Sequence, residues 1–396
     1  LHRNIIFNNS NVPMEPVSFY EAPTRKELWN LLDQTCSEDC DYVVIPHNSN
    51  LSNGYMFEEP DQDEILIQST KEPLVEIFQH KGSSECNIDS NDSLCNFEQL
   101  PYKDFRSKFQ NDLSLSPDSS FVRDALGKGL LSQERQSINP LKFGIIASTD
   151  THLGTPGAVD ETSFQGHGGA GKSFRSSIPE GLPDDIEFNP GGLAVAWAEE
   201  NSRSAIFDAF QRKEVYGTSG PRFIVRFFVG DNLEKNMCNN PDNISYAYAN
   251  ATPMGGTIAS DSLSQPSIFI SASADSTIKD QFIEKLQVIK GVVRNGELLT
   301  TVHDVGVTDT QSKLDISNCE VTGTGEKAMC SVWNDPNFNS SENAYYYVRV
   351  VANKSCRWSH NLCLQNPEYC DADSDTSIPK VIQERAWTSP VWLETS

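Results

Sequence analysis

Short apolar runs that end in polar residues recur along the first half of the chain. The clearest are DYVVIPHN at 41–48, PLVEIFQH at 73–80 and FGIIASTDTH at 143–152. A short run that is almost continuously apolar and is bounded by turn-forming residues is typical of a strand buried on both faces. The pattern therefore predicts three buried strands, each of which ends close to a histidine.

Helical patterns separate these strands. Residues 24–33 (TRKELWNLLD) place Thr24 at an N-cap and Glu27 three residues later, which is a capping box. Further helices are predicted near 119–136 and over 192–212, the latter broken and capped again near its middle. Strands that alternate with helices predict an α/β fold with a mostly parallel sheet or a barrel.

The character of the chain changes after residue 221. Short runs rich in β-branched and aromatic residues follow one another, separated by polar turns: FIVRFFV, SIFISAS, EKLQVIKGVV, AYYYVRVV and SPVWLE. Such runs are typical of antiparallel sheets. The sequence therefore predicts a first domain over 1–221 and a mainly antiparallel β region over 222–396 that packs on it.

Metal-ligand residue types collect at the predicted strand ends, namely His47, Glu76, His80, Asp150 and His152. In parallel α/β folds the carboxyl ends of the strands meet at one edge, where the chemistry takes place. Asp150 and His152 are two residues apart, so they point the same way in an extended segment. A carboxylate and an imidazole suit borderline divalent metals, although a turn with an exposed histidine would explain one such stretch alone. Recurrence at several strand ends favours a metal site.

The net charge of the chain limits the classes of molecule that it is expected to bind. The chain has 31 Lys and Arg against 55 Asp and Glu, a formal net charge of -24 that is spread along the sequence. Such a field repels phosphate backbones, so we expect no nucleic-acid partner. An anionic substrate needs local compensation, which bound metal cations would supply. No apolar run approaches the roughly 20 residues of a membrane span, so we expect none.

Ten cysteines are many for a reducing compartment, and none of them forms a CxxC pair. They predict disulfides and a secreted, periplasmic or extracellular protein, while the pairing stays open. The closely spaced disulfide candidates are Cys36, Cys40, Cys86, Cys95, Cys319 and Cys330.

Two further features bear on the compartment. Asn-x-Ser/Thr acceptors for glycosylation, which would be used only in a eukaryotic secretory pathway, occur at Asn8, Asn50, Asn91, Asn243, Asn250, Asn339 and Asn353. An oxidising compartment requires a targeting segment, whereas the chain opens on LHRNIIF, so we expect a segment upstream.

Residues 166–173 (GHGGAGKS) match the phosphate-binding pattern GxxxxGK[ST] at every fixed position. That pattern binds phosphate only between a strand and a helix, whereas VDETSFQ precedes it and the proline-containing FRSSIPEGLP follows. We therefore interpret this glycine-rich segment as a lid near the predicted metal site.

Several long blocks resemble one bacterial family. They are HRNIIF at 2–7, IPHNSNLSNGYMF at 45–57, VEIFQHKGSSEC at 75–86, STDTHLGTPG at 148–157, AWAEENSRSAIFDAFQRKEVYGTSGPR at 196–222 and QERAWTSPVW at 383–392. The family is hydrolase-like, is described as a domain of unknown function, and is related to the polymerase-and-histidinol-phosphatase (PHP) superfamily. The resemblance implies a PHP-like distorted (β/α) barrel that binds two or three divalent ions, zinc, manganese or iron, and hydrolyses phosphoesters.

The resemblance also implies roles for particular residues. The metal ligands that it implies are His2, His47, Asp150 and His152. The residues that it places along the site, with a catalytic role in moving protons, are Glu76 and His80. A small anionic ester would be held by Asn48, Lys81, Arg203 and Arg222, although each of the three cations has an alternative as a surface or ion-paired residue.

One departure from the superfamily pattern changes the prediction. The HxH pair and the upstream glutamate that complete the metal site are absent from this chain. The resemblance then implies that other residues complete the metal site. These residues would come from an N-terminal fragment of the same protein, upstream of this sequence, or from another copy of the chain in a homo-oligomer. The alternative is a non-catalytic extracellular structural or binding protein built on a hydrolase-derived fold.

Overall fold

The computed structural model describes residues 2–36, 39–52, 54–88, 90–99, 120–164, 166, 188–365, 367 and 379–395. The helices in these ranges are α1 (Arg25–Thr35), α2 (Gln62–Lys71), α3 (Val122–Gln136), α4 (Arg203–Gln211), α5 (Asn243–Asn250) and α6 (Trp358–Gln365). Apart from Gly166, the GxxxxGK[ST] segment lies outside the described residues.

The strands of the first half are β1 (Arg3–Phe7), β2 (Tyr42–Pro46), β3 (Leu74–Gln79), β4 (Gly82–Ser83), β5 (Gly144–Ala147), β6 (Leu193–Ala196) and β7 (Val215–Thr218). Those of the second half are β8 (Ile224–Asp231), β9 (Ala251–Pro253), β10 (Thr257–Ala259), β11 (Pro266–Ser273), β12 (Ile283–Arg294), β13 (Glu297–Val307), β14 (Lys313–Asp315), β15 (Glu320–Thr322), β16 (Ala328–Asn334), β17 (Ala344–Cys356), β18 (Val381–Thr388) and β19 (Val391–Glu394). The three strands predicted from the apolar runs are thus confirmed as β2, β3 and β5.

Helix α1 forms as its sequence predicts. The Thr24 hydroxyl accepts from the Glu27 N–H and the Glu27 carboxylate accepts from the Thr24 N–H, so the capping box is present. Trp29 on the inner face of α1 is completely buried and packs with Tyr42 and other residues of β2. The local signals and the burial of one helix face agree, which is why this prediction is correct.

Strands β2, β3 and β5 form the layer that carries the predicted site. Strand β3 pairs in parallel with β5, so their carboxyl ends lie at the same edge. Strand β1 pairs antiparallel with β2, and Val43 and Ile45 of β2 share an apolar cluster with Leu74 and Ile146 of the neighbouring strands.

Two further sheets make up most of the second half. The larger has eight strands, in the order β10-β19-β17-β18-β7-β6 with β12 on β17 and β13 on β12. The smaller has the order β16-β11-β8-β9. It covers one face of the larger sheet, where Phe227 and Ile270 meet Leu286 and Val348. Helix α3, β3 and β5 cover the other face around Trp387.

A close approach joins the site layer to the larger sheet. A Cβ atom added to Gly217 of β7 would lie 2.7 Å from the Ala147 nitrogen of β5. Only glycine allows the two backbones to come this close without a shift. The predicted boundary at 221/222 follows β7, whose pairing with β18 places it in the larger sheet, so the two predicted parts share that sheet.

The α/β class is confirmed in its coarse form, as a mixed fold of several sheets and helices. The described residues contain no closed barrel, since β1–β2, β4–β3–β5 and the larger sheet are separate ladders. The helix predicted over 192–212 is wrong in its first half: β6 pairs antiparallel with β7, and α4 begins only at Arg203. Pairing with a neighbouring strand has overridden the helix propensity of Leu and Ala.

Four disulfides have both partners in the described ranges: Cys36–Cys40, Cys86–Cys95, Cys238–Cys330 and Cys319–Cys356. All six predicted cysteines are therefore bonded. The neighbours Cys319 and Cys330 are not partners, because each lies closer in space to a cysteine distant in sequence. This disulfide content fits a secreted or extracellular protein.

The structure also bears on the predicted glycosylation sites and on the expected absence of a membrane span. Asn50 and Asn353 are only 6% and 4% exposed, so the folded protein cannot present them to a glycosylating enzyme. None of the helices in the described ranges is both long enough and apolar enough to cross a membrane.

Candidate metal centre

Two histidines meet where β1 begins and β2 ends. The antiparallel register pairs Arg3 with Pro46, so His2 and His47, the next residues outward, face each other. Their ring centroids are 5.4 Å apart, and the His47 N–H donates to the His2 carbonyl at 3.5 Å. The pairing of two strands distant in sequence therefore brings both predicted ligands to one place.

Glu76 on β3 faces the same point. Its Oε2 accepts from the Ser148 hydroxyl, and its Oε1 lies 4.0 Å from His47 Nδ1. Within the described residues, neither Glu76 Oε1 nor His47 Nδ1 has a hydrogen-bond partner, although both atoms are buried. Asn48, in the left-handed region at φ 55°, completes this side, with its Nδ2 3.4 Å from His2 Nδ1.

A second group of side chains surrounds Asp150, which follows β5. Asp150 Oδ2 accepts from Lys81 Nζ at 2.8 Å and from Gln79 Nε2 at 2.9 Å, and lies 3.4 Å from His80 Nε2. The His80 ring stacks on that of His152 with centroids 5.7 Å apart. These contacts require the carboxyl ends of β3 and β5 to lie side by side, as the parallel pairing makes them do.

The two groups influence each other electrostatically. Burial lowers the pKa of His47 to about 4. The negative charge of Asp150 opposes this decrease, whereas His2 and Lys81 add to it. His47 is therefore neutral at pH 7 and keeps a lone pair for a metal. Burial opposes ionisation of Asp150, but the hydrogen bond from His80 and the charge of Lys81 hold its pKa far below the usual range.

Glu76 shows the opposite behaviour. Burial raises the pKa of Glu76 to about 7, although the hydrogen bond from Ser148 and the nearby Asn48 backbone N–H both oppose this increase. A carboxyl group with this pKa exchanges a proton readily near neutral pH.

Three groups of side chains in the described ranges bring at least three potential ligand atoms within 4.8 Å of one another. Two of these groups depend on the sulfurs of Cys319 and Cys356 or of Cys86 and Cys95, which are consumed by disulfides. The third consists of His80, Asp150 and His152. The geometry thus places His80 among the potential ligands, whereas the sequence assigned it to proton transfer.

A cavity of about 400 Å³ opens onto His2, His47 and Asp150. Its other walls include Phe19 and Arg25. The cavity has room for a small ester beside the histidines.

Only two of the four predicted substrate-binding residues lie at this centre. Lys81, which is 8% exposed, and Asn48, which is 7% exposed, lie among the histidines and carboxylates. Arg203 is exposed at the first residue of α4, and Arg222 lines a different cavity. Of the four predicted substrate residues, Lys81 and Asn48 are therefore the ones that the fold brings to the centre.

Sequence reasoning missed three contributors to this centre. Gln79 holds Asp150, Ser148 holds Glu76, and the Phe188 ring stacks on His80 with centroids 5.1 Å apart. Gln79 is the last residue of β3, and Ser148 directly follows β5. Their positions at the carboxyl ends of predicted strands could have identified both residues from the sequence. Phe188 carries no such signal, because it arrives from a distant segment.

The fold and the centre define a mixed α/β protein with a cluster of histidines and carboxylates at strand ends. A family model described as "Protein of unknown function (DUF3604)" matches residues 1–395. The chain therefore belongs to that family. No curated protein and no solved structure matches it.

Proposed function

We propose that the protein is a metal-dependent hydrolase of small phosphoesters, as the resemblance to the PHP superfamily implies. The observation that carries the proposal is the buried pair His47 Nδ1 and Glu76 Oε1, 4.0 Å apart and without partners in the described chain. Leaving a polar group buried and unsatisfied costs about 1–3 kcal/mol. Two such atoms beside the group around Asp150 fit a centre that is completed by a ligand.

The donor set suits a divalent metal. His2 and His47 would hold one ion, and His80, Asp150 and His152 would hold another. Imidazole and carboxylate ligands suit zinc, manganese and iron. A bound divalent ion lowers the pKa of a coordinated water and neutralises charge on a phosphoryl group.

The chain's own residues supply the other parts of the reaction. Glu76 Oε1 would take a proton from an attacking water, and the protonated carboxyl group would later give that proton to the leaving oxygen of the ester, since the pKa of Glu76 is close to 7. Lys81 Nζ donates a hydrogen bond to Asp150 Oδ2 and would also donate one to a phosphoryl oxygen of a bound ester. Phe19 in the cavity wall offers an apolar surface to the organic part of an ester.

The first experiment measures metal content by elemental mass spectrometry, together with hydrolysis of p-nitrophenyl phosphate and bis-p-nitrophenyl phosphate. We expect two tightly bound ions per chain, and at least about 100-fold lower activity in His47→Ala and Asp150→Asn. His303→Ala, on β13, is the matched control and should behave as wild type.

Two results would contradict the proposal. One is wild-type protein that holds no metal, which would favour the non-catalytic structural or binding role. The other is unchanged hydrolysis in both site variants, which would place the activity elsewhere.

A further inference from the structure

A second cavity, of about 580 Å³, lies apart from the metal centre and shares none of its lining residues. Its walls come from the segment after Gly157, the turn between β7 and β8, the segment before β12, and the end of β17. Arg222, predicted from sequence to hold an anion at the metal centre, lines this cavity instead.

Three buried carboxyl groups line the cavity, those of Glu161, Glu384 and Asp275, but both oxygens of Asp275 already accept from the backbone N–H groups of Arg222 and Thr277. Glu161 is the first of the other two. It is 8% exposed, and its Oε2 accepts from the backbone N–H of Trp358. Its Oε1 is buried and has no hydrogen-bond partner among the residues that the structure describes. One carboxylate oxygen is therefore fixed by the backbone, while the other is left for a ligand.

Glu384, on β18, is the second. It is 4% exposed, and its Oε2 accepts from the Ser219 hydroxyl. Its Oε1 faces a gap beside Gly220: a Cβ atom there would lie 3.7 Å from Glu384 Oε1 and 2.9 Å from the Val159 carbonyl oxygen. Gly220 has φ +148°, so glycine both adopts this backbone and leaves the gap open.

The charges around these two groups are unbalanced. In the described ranges, neither Glu161 nor Glu384 forms an ion pair with a lysine or arginine. The buried Arg357 donates to Glu98 at 3.1 Å instead. Burial and the charge of Glu384 raise the pKa of Glu161 well above its usual range against the opposing charge of Arg357, and burial raises the pKa of Glu384 to about 8. Two carboxyl groups of this kind are held together only with a proton or with a cation.

We propose that Glu161 and Glu384, with the Val159 carbonyl, bind a hard divalent cation of the calcium class. These ligands offer only oxygen, and the two cysteines in the wall, Cys319 and Cys356, are bonded to each other. An oxygen-only set selects hard cations, in contrast to the histidines of the metal centre. Carboxylates and backbone carbonyls are the usual ligands of Ca²⁺, and the remaining positions can be filled by water.

Terbium luminescence tests this site on the chelator-treated, full-length chain. Tb³⁺ substitutes for Ca²⁺ and emits when a nearby tryptophan is excited, and Trp358 contacts Glu161 through its backbone. We expect saturable emission that Ca²⁺ displaces. Trp358→Phe should weaken the emission without changing the Tb³⁺ midpoint.

Matched variants separate this site from the metal centre. Glu161→Gln and Glu384→Gln keep the side-chain shape, and each should weaken Tb³⁺ and Ca²⁺ binding at least about tenfold. Asp150→Asn should leave both midpoints unchanged. If circular dichroism shows that one glutamine variant is unfolded, the other one decides.

Three outcomes would overturn the proposal: no saturable emission, unchanged midpoints in both glutamine variants, or loss of binding in Asp150→Asn alone. The first would leave the two carboxyl groups sharing a proton. The third would assign the ion to the metal centre. None of these outcomes depends on whether the protein hydrolyses a phosphoester.

Discussion

Neutralising Glu85 should destabilise the protein more than any surface charge change. Glu85 is 1% exposed, and its carboxylate accepts from Arg349 Nη1 at 2.9 Å and from Arg123 Nη2 at 2.7 Å. The Trp387 indole N–H donates at 2.7 Å and the Tyr347 hydroxyl at 2.8 Å. Burial would raise the pKa of Glu85, but Arg349 and Arg123 outweigh it and hold that pKa well below the usual range.

The magnitude follows from what Glu85→Gln leaves behind. Arg123 and Arg349 would keep Asp92, at 3.0 and 2.8 Å, as their one carboxylate partner in the described chain, and the glutamine amide group would turn donors toward guanidinium groups. Removing one partner of a buried ion pair typically costs about 3–5 kcal/mol. We therefore expect the free energy of unfolding to fall by about 3–5 kcal/mol at pH 7, which is a large part of the stability of an ordinary domain.

Urea unfolding followed by tryptophan fluorescence measures this difference. The matched control is Glu342→Gln, which breaks the exposed pair between Glu342 and Arg294 and should change the midpoint far less. Because the pKa of Glu85 is lowered in the folded state, its contribution is complete above the usual glutamate pKa of about 4.3 and is lost as the pH falls below it. A Glu85 loss as small as that of Glu342, or one that persists unchanged in acid, would refute the reasoning.

Three further variants test the fold. Burial and the charge of Lys142 lower the pKa of Lys213 to about 8 in the folded protein. Because the unfolded chain then binds the proton more tightly, the stability of wild type should increase relative to that of Lys213→Met as the pH rises from about 8 to 10. Urea unfolding at several pH values measures this difference, and a constant difference would contradict the prediction. Gly217→Ala should cost about 1–3 kcal/mol, since its Cβ would meet the β5 backbone, and an unchanged melting temperature would argue against that packing. Replacing Cys238 and Cys330 by serine opens a loop of 92 residues and should cost about 2–4 kcal/mol in urea unfolding, more than removal of the bridge that spans four residues.

The sequence could predict the features that depend on neighbouring residues. Helix α1 follows from the capping box at Thr24 and Glu27, and β2, β3 and β5 follow from short apolar runs. The five β-rich runs of the second half are also confirmed as strands, because each run is strongly patterned. In each case the local signal and the burial in the fold agree.

Features that depend on distant pairing could not be predicted this way. Strand β6 has the sequence pattern of a helix, and only its pairing with β7 makes it a strand. The sequence leaves the partner of Cys319 open, because Cys356 lies beside it only once β17 has formed. His2 could be assigned only by resemblance, because its place beside His47 depends on the register of two strands separated by a helix. Neither cavity has a sequence signature, because each is lined by segments far apart in the chain.

Buried carboxyl groups distinguish structural from functional clusters in this protein. Glu85 is fully matched by arginines and by neutral donors, so it has no capacity left for a ligand. Glu76 and Glu161 are also buried, yet each keeps one oxygen without a partner in the described chain. Glu76 Oε1 lies 4.0 Å from the unpartnered His47 Nδ1, and Glu161 lines the same cavity as Glu384. Incomplete pairing, rather than burial or net charge, is therefore the property that marks the two sites for experiment.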